Sequence, residues 1–171
     1  PYLDWKRDQV RLALEREGID TEIEATVATP PGTRRRLALH ARRTPEGRVI
    51  LGFKARRSWR LVEVSVCPVA DPRLVAAFPG LARLAGAILE HPKSAPTLHA
   101  TLTLTGIDVD VTGVERRSGG LSRDRQMQAI RAAADMDLAR LSLAGDTLVM
   151  ARQPLVAFGP ATVPVPAGGF L

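Results

Sequence analysis

The sequence has 171 residues, of which 45% are hydrophobic and 25% are charged, and this balance is typical of a soluble globular protein with its own core. No apolar run approaches the roughly 20 residues that a membrane-spanning helix needs, and the start does not resemble a signal peptide. The single cysteine, Cys67, excludes an internal disulfide and favours a reducing compartment, so we expect a cytoplasmic protein. Because the first residue is Pro1 rather than Met, we also expect the chain to be a piece of a longer one.

The first predicted element is an amphipathic helix over residues 2–17, where apolar and charged side chains alternate at helical spacing. Gly18 is a favourable end for this helix, because glycine adopts the left-handed cap without strain. A turn-rich loop with two prolines, residues 28–33, follows. Three strands are then predicted over residues 36–43, 48–54 and 60–66. Residues 44–47 contain a proline and a glycine and join the first two strands by a tight turn, so we expect an antiparallel meander.

Helices and hairpins alternate along the remainder of the chain. A helix over residues 72–90 begins at Asp71 as its N-cap, and Pro79 either kinks it or divides it into two short helices. The later elements are a hairpin of residues 97–105 and 107–112, a helix over residues 121–136 capped by Ser122, and a hairpin of residues 138–143 and 148–152. Together these patterns predict an α+β fold, in which a mainly antiparallel sheet of hairpins is combined with three helices.

Basic residues are concentrated in the predicted meander. The formal net charge is +6, and all the basic residues are arginines except Lys6, Lys54 and Lys93. A GC-rich coding bias would spread arginines along the whole chain, whereas clusters favour a polyanionic partner whose phosphates arginine binds bidentately. Two clusters occur in adjacent stretches: Arg34, Arg35, Arg36, Arg42 and Arg43, and then Lys54, Arg56, Arg57 and Arg60. This uneven distribution favours a binding face.

The sequence contains no recognisable catalytic constellation. It has no glycine-rich phosphate loop and no strand–glycine–helix nucleotide motif, and His40, His91 and His99 lack the spacing of metal ligands. Asp108 and Asp110 share one strand face, and paired carboxylates can act as acid and base or bind a metal, but no further ligand accompanies them. We therefore predict no catalytic residue in this chain.

The most informative stretch is residues 51–72, LGFKARRSWRLVEVSVCPVADP. It resembles the 23S rRNA (uracil-5-)-methyltransferase family, in which Gly-Phe-Lys ends a strand, a polar loop and a Val-Glu-Val strand follow, and Cys-Pro comes next with a second proline four residues beyond. The matching residues are Gly52, Phe53, Lys54, Val62, Glu63, Val64, Cys67, Pro68 and Pro72. Residues 2–6 resemble the segment after the family's cysteine-cluster motif, and residues 163–171 resemble the approach to its Phe-x-Gln-x-Asn motif.

The resemblance implies a longer enzyme that uses S-adenosylmethionine to methylate C5 of uracil and carries a [4Fe-4S] cluster. Cys67 falls where the family has its fourth cluster ligand. The other three ligands would lie before Pro1, and such clusters usually need four thiolates, so we expect this chain to hold no cluster by itself. The S-adenosylmethionine-binding domain, the cysteine that attacks C6 of uracil and the base that removes the C5 proton would lie beyond Leu171. Neither cofactor is therefore expected in the fragment.

The resemblance also implies contacts with RNA, and specifically with 23S rRNA. Thr33 stands where the family has a tyrosine in a Tyr-Arg-x-Arg/Lys segment, so the arginines that follow it should contact phosphates rather than continue an aromatic stack. Trp59, in the loop between the second and third strands, either stacks on a base or packs in the ordinary way. Phe170 corresponds to an aromatic that contacts RNA around the flipped target base. The expected RNA contacts are Arg34, Arg35, Arg36, Lys54, Arg56, Arg57 and Phe170.

These observations predict the central part of an RNA (uracil-5-)-methyltransferase. Residues 1–20 would form a helix that packs on the absent methyltransferase domain, residues 21–165 a central RNA-facing and iron–sulfur domain, and residues 166–171 the start of the link to the catalytic domain. We expect the fragment to be monomeric and inactive, and to position RNA. Two alternatives stay open: a stand-alone RNA-binding module without enzymatic activity, and a tRNA-directed relative, against which the cysteine at position 67 argues.

Overall fold

The structure is a computed structural model that describes residues 1–91, 93–114 and 121–169. The chain divides into two units, Pro1–Pro30 and Pro31–Leu171. Within the described ranges, every helix is too short or too polar to cross a membrane.

The first unit contains helix α1, Tyr2–Arg16, close to the predicted bounds. The chain leaves the helix at Gly18, whose φ of +72° is the left-handed conformation in which glycine commonly ends helices. The Thr26 hydroxyl donates a hydrogen bond of 3.1 Å to the carbonyl of Leu3 and so ties the segment after the helix to its first turn. Tyr2 and Trp5 stack at exposed positions of α1, with ring centroids 5.9 Å apart.

The second unit is built on a seven-stranded sheet. Its strands are β1 (Arg36–Arg43), β2 (Val49–Lys54), β3 (Leu61–Glu63), β4 (Thr97–Thr103), β5 (Gly106–Thr112), β6 (Arg140–Leu143) and β7 (Asp146–Met150). They lie in the order β3-β2-β1-β4-β5-β6-β7. All neighbouring pairs are antiparallel except β5 and β6, which are parallel. The predicted α+β fold with a mainly antiparallel sheet is confirmed.

The side chains of β1 show how the sheet is divided into an apolar and a polar face. Leu37, Leu39 and Ala41 are buried, and the residues between them are exposed or half-buried, because successive side chains of a strand point to opposite faces. The buried side chains belong to one core with the helices, in which Leu81 and Leu84 are completely buried. One face of the sheet therefore packs on helices, and the other face carries polar side chains.

Four helices occur among the described residues where three were expected, because the predicted helix of residues 72–90 is divided. The three helices of the second unit are α2 (Pro72–Ala76), α3 (Phe78–Ile88) and α4 (Arg123–Asp135). Asp71 caps α2 as predicted, and its carboxylate accepts the backbone N–H of Arg73 at 2.9 Å. Pro79 lies in the first turn of α3, where its missing N–H costs no hydrogen bond. The alternative of two short helices is therefore the correct one. Ser122 precedes α4 as predicted, but its side chain makes no capping hydrogen bond.

Most predicted strands agree with the structure to within two residues at each end, including those of the β6–β7 hairpin, but two features differ more. The third strand ends at Glu63 rather than at residue 66, because β3 pairs only with β2 and the chain then turns toward Pro68, which has no N–H for a ladder. The proline- and glycine-rich tail contains a hairpin that its composition did not indicate. Strands β8 (Leu155–Phe158) and β9 (Ala161–Pro164) form a separate two-stranded sheet, with a turn at Gly159, whose φ is +58°.

Candidate RNA-binding surface

Arg34, Arg35 and Arg36 of the first arginine cluster lie at the same end of the seven-stranded sheet as the second cluster. Arg42 and Arg43 of the first cluster lie at the opposite end of β1, beside the start of β2. Residues 34 and 35 precede β1 and Arg36 opens it, so all three lie at the N-terminal end of that strand. Strand β2 runs antiparallel to β1, with Gly52 opposite His40, so the loop after Lys54 projects toward the same end. We call residues 34–36 and 54–60 the basic end of the sheet.

The loop between β2 and β3 is held in shape by its own hydrogen bonds. The N–H of Ala55 donates to the carbonyl of Arg60 at 2.9 Å, and the N–H of Ser58 donates to the carbonyl of Ala55 at 3.1 Å. The N–H of Arg60 in turn donates to the hydroxyl of Ser58 at 3.0 Å. Arg57 has a φ of +52°, a left-handed conformation that residues other than glycine adopt mainly in tight turns. The loop therefore presents its basic side chains at defined, exposed positions.

Carboxylates next to the basic end are already paired with other arginines. Asp71 accepts hydrogen bonds of 3.0 and 2.9 Å from the Arg73 side chain, and these bonds lower the pKa of Asp71 to about 2. Glu63 binds Arg48 through two further bonds. In the part of the chain that the structure describes, no ion pair involves Arg34, Arg35, Lys54, Arg56, Arg57 or Arg60. These six side chains therefore give the basic end an excess of positive charge among the described residues.

Trp59 lies on the surface of this end rather than in the core. Its side chain is 79% exposed, and the ammonium group of Lys54 lies 4.6 Å from the centroid of its ring. That distance is within the range of a cation–π contact. The sequence left two roles for Trp59, stacking on a base and ordinary packing. Its exposed position does not agree with ordinary packing.

Asp108 and Asp110 share one face of β5, as predicted, and both carboxylates are buried with partners inside the fold. Asp108 accepts two hydrogen bonds from the Arg140 guanidinium, at 2.9 and 2.7 Å. Asp110 accepts the backbone N–H of Gly145 at 2.9 Å. Across residues 1–91, 93–114 and 121–169, no group of three or more His, Cys, Asp and Glu side chains is arranged to hold a metal ion. We therefore assign the two aspartates structural roles.

The sheet brings together His40 and His99, which are distant from each other in the sequence. Thr97 lies opposite His40 and Ala38 lies opposite His99, so the two rings are diagonal neighbours on the polar face. Nδ1 of His40 is 2.9 Å from the hydroxyl of Thr97, and Nε2 of His99 is 3.1 Å from the hydroxyl of Thr112. The pairing of β1 with β4 creates this arrangement, and nothing in the spacing of the two histidines along the chain indicates it.

Both histidines have a lowered pKa. Burial is the main cause for each ring. The positive charge of Lys54 and the neighbouring His99 add to it for His40, and the charge of Arg36 adds to it for His99, against a smaller opposing effect of Asp110. Both rings therefore lose their proton more readily than a free histidine, which favours neutral hydrogen-bonding groups beside the cations of the basic end.

Cys67 lies between β3 and α2, next to the segment that enters β1. It is half-buried and packs against the core. The carbonyls of Pro68 and Val69, the residues after it, accept the backbone N–H groups of Gly32 at 3.0 Å and Arg34 at 2.9 Å. The sequence contains this one cysteine, whereas a [4Fe-4S] cluster usually takes four thiolates. The residues of this chain therefore do not fit a complete cluster.

The C-terminal tail is fixed to the polar face of the sheet. Nη2 of Arg140 donates to the carbonyl of Val165 at 3.0 Å, and Nη2 of Arg36 donates to the carbonyl of Gly168 at 3.2 Å. Gly168 has a φ of +67°, and a Cβ at this position would lie 2.7 Å from Oδ2 of Asp110. The tail thus reaches the basic end through Arg36. Phe170, which was expected to contact RNA, lies outside the described residues.

Comparison with known proteins shows which proteins the chain is similar to. No protein-family model matches the chain. A protein of Caulobacter vibrioides named an uncharacterized RNA methyltransferase is 62% identical over 172 residues, which cover 100% of this chain and 41% of that protein. A protein of the same description from Brucella suis is 42% identical over 173 residues and 40% of its own length.

A shorter match links the chain to a protein with a stated RNA substrate. The 23S rRNA (uracil(1939)-C(5))-methyltransferase RlmD of Halomonas elongata is 40% identical over 73 residues, which are 42% of this chain and 15% of that protein. The predicted resemblance is thereby confirmed. The chain is similar to proteins named RNA methyltransferases, and it spans about two-fifths of the length of the two relatives that it matches from end to end.

Proposed function

We propose that this chain is the RNA-positioning part of an S-adenosylmethionine-dependent RNA (uracil-5-)-methyltransferase that acts on 23S rRNA. The observation that carries the proposal is the exposed set of cations at the basic end of the sheet, which has no ion pair with a carboxylate among the described residues: Arg34, Arg35, Lys54, Arg56, Arg57 and Arg60. The names of the relatives support the enzyme class, and the shorter match to RlmD supports uracil C5 and 23S rRNA.

The side chains of the basic end are suited to bind phosphates. Arginine presents a planar fork of N–H donors that matches two phosphate oxygens, and binding releases counterions from the RNA. Arg34 and Arg35 are exposed and lie on a backbone that is itself hydrogen-bonded to the loop after Cys67. The Arg56 and Arg57 side chains come from the second, internally bonded loop. Cations on these two hydrogen-bonded segments, the entry to β1 and the β2–β3 loop, position an RNA backbone but do not read its sequence.

In the proposed parent protein, S-adenosylmethionine supplies the methyl group, and this chain's residues hold the RNA. The carboxylates of Asp108 and Asp110 are already bound by Arg140 and by the backbone of Gly145, so we give neither a role in proton transfer. Cys67 is proposed as one thiolate ligand of a cluster whose remaining ligands come from other parts of the parent. The stretch around it would then join that cluster to the arginines that enter β1.

The proposal is tested by measuring RNA binding as a function of salt. A labelled fragment of 23S rRNA is titrated with the chain, and the dissociation constant is followed by fluorescence anisotropy over a series of salt concentrations. The double substitution Arg34→Gln and Arg35→Gln should weaken binding and reduce the slope of log K against log salt by about 0.7 per lost phosphate contact in a single strand.

A matched control removes the same charge elsewhere. Arg83 on α3 and Arg131 on α4 are exposed, and both lie on the helices rather than at the basic end. The double substitution Arg83→Gln and Arg131→Gln should therefore leave the slope close to that of the unchanged protein. Equal losses in the two double variants would mean that net charge alone binds the RNA, and the proposed surface would be wrong.

A further inference from the structure

Two exposed aromatic side chains lie on either side of the arginines that enter β1. Trp59 is 79% exposed and Phe158 is 75% exposed. Trp59 belongs to the loop beyond β2, which neighbours β1 on one side. Phe158 belongs to the β8–β9 hairpin, which is hydrogen-bonded to Leu104 just after β4, the neighbour of β1 on the other side. The position of Phe158 follows from the tail hairpin, which the sequence pattern did not indicate.

The tryptophan side is built from the β2–β3 loop. The ammonium group of Lys54 lies over the Trp59 ring at 4.6 Å from its centroid, and the loop is closed by backbone hydrogen bonds between Ala55 and Arg60. The indole is thus held by a cation and by an ordered turn while most of its surface stays in solvent. An aromatic ring of this kind offers a flat apolar surface to a nucleobase without having to be ordered first.

The phenylalanine side is built from the β8–β9 hairpin. The N–H of Leu104, just after β4, donates to the carbonyl of Leu155 at 2.8 Å, and this bond attaches the hairpin beside the end of the sheet. Arg35 lines a groove of about 280 Å³ with residues 156–159, which include Phe158. This volume is close to roughly 300 Å³, the lower limit of small-ligand sites. A ring and a guanidinium therefore line the same concave surface.

We propose that the basic end binds single-stranded RNA, with one unpaired base stacked on Trp59, a second stacked in the Phe158 groove, and the intervening phosphates bound by Arg34 and Arg35. The inference rests on the proposed function and adds to it the kind of RNA that the surface selects. Exposed aromatics also occur at protein interfaces, but the cations between these two rings favour a polyanion.

Single-stranded RNA is the class that fits both kinds of side chain. In an RNA duplex the flat faces of the bases are covered by their neighbours, and the major groove is too narrow and deep for side chains to read. Duplexes are therefore recognised mostly by their shape and by their phosphates and 2′-hydroxyls. Unpaired bases have free faces, and aromatic side chains alternating with cations are the usual platform for them. The two aromatics add nothing to duplex binding, and this difference makes the proposal testable.

The test compares an unpaired RNA with a duplex of the same length. The probes are a fluorescein-labelled oligouridine of about 12 nucleotides, within the span that single-stranded sites cover, and its duplex with oligoadenine. Trp59→Leu and Phe158→Leu should each weaken binding of the oligouridine about fivefold or more while leaving the salt slope and the binding of the duplex unchanged. Both side chains are largely exposed, so thermal unfolding should be unaffected.

Trp5→Leu is the matched control, because Trp5 is the other tryptophan, is 55% exposed and lies in the first unit. This variant should bind as the unchanged protein does. It also leaves Trp59 as the sole tryptophan, so that stacking should quench its fluorescence on addition of oligouridine.

Unchanged oligouridine binding in both leucine variants, or unquenched Trp59 emission at saturation, would overturn the inference. If the variant with Arg34→Gln and Arg35→Gln still loses affinity and salt dependence in that case, the proposed function survives and only the stacking sites are wrong. If neither the arginine nor the aromatic substitutions change binding, both proposals fail.

Discussion

Arg140 and Asp108 form a buried ion pair on the polar face of the sheet, with only 8% and 4% of their side chains exposed. The pair lies where β5 and β6 run parallel, and Asp108 is directly opposite Arg140 in that register. The same guanidinium binds the carbonyl of Val165. The pair therefore connects β5 and β6, the only parallel neighbours among the described strands of the sheet, to the C-terminal tail.

Replacing Arg140 by alanine should destabilise the protein strongly. The substitution leaves Asp108 buried without its partner, and breaking such pairs typically costs about 3–5 kcal/mol. For a chain of this size we expect a fall of about 10 °C in the midpoint of thermal unfolding, measured by circular dichroism. The double substitution Arg140→Met and Asp108→Leu removes both charges and should lose less. A single variant as stable as Arg83→Gln would show that the pair is not an important contact.

Gly168→Ala should loosen the tail at the point where it meets Asp110 and Arg36. A Cβ at residue 168 would come 2.7 Å from Oδ2 of Asp110, and the φ of +67° is unfavourable for any other residue. Gly18→Ala is the control, because its φ of +72° is similarly unfavourable, nothing lies within 4 Å of the added carbon and the residue belongs to the first unit. Faster proteolysis after residue 152 in the first variant alone is expected. Equal rates in the two variants would show that the close approach to Asp110 is unimportant.

Gly52→Ala should detach β3 from β2 and with it the loop that carries Trp59. A Cβ at residue 52 would overlap the carbonyl of Val62, and this oxygen belongs to backbone that cannot move without breaking the ladder. We expect faster hydrogen exchange in residues 49–63 and weaker RNA binding. Gly86→Ala adds the same carbon where only a side-chain methyl of Val49 lies nearby, at 3.6 Å, and should bind RNA normally. Normal RNA binding by Gly52→Ala would mean that β3 does not position this loop.

Stability should increase with pH across the titration of His40 and His99. Burial lowers the pKa of each histidine in the folded protein, so the unfolded chain binds more protons between those lowered values and about 6.5, the ordinary histidine pKa. The free energy of unfolding therefore rises with pH in this window and is reduced below it. Urea unfolding at pH 5.5 and 7.5 checks this sign. The double variant with His40→Gln and His99→Gln should show a smaller difference, and an unchanged difference would assign the effect to other groups.

Local sequence patterns predicted the elements with the strongest local signals. The alternation in β1 and the proline at residue 79 each depend on neighbours within a few residues. The exact bounds of β1 could therefore be predicted, and the division of the helix at residue 77 was one of two alternatives that Pro79 left open. The loop with Lys54 and Trp59 was identified from the arginine cluster and the Gly-Phe-Lys motif. The cation–π contact inside that loop follows only from the turn geometry.

Other features depend on strands that are distant in the sequence. The neighbouring rings of His40 and His99 exist because β1 pairs with β4, and the ion pair of Asp108 exists because β5 and β6 are parallel. The hairpin with Phe158 was missed for another reason, since its composition resembles that of an irregular tail. Its attachment at Leu104 is a long-range backbone contact that no local pattern encodes.

Helices α2, α3 and α4 pack on the apolar face of the sheet, whereas the basic end consists of a strand entry and a connecting loop. Loops that lie outside the packed core tolerate changes in length and sequence that strands do not. Residues 55–60 could therefore be replaced by the corresponding loop of a relative without changing the core residues Leu39, Leu81 and Leu84. Such grafts would allow a change of RNA preference to evolve, or to be engineered, without refolding the scaffold.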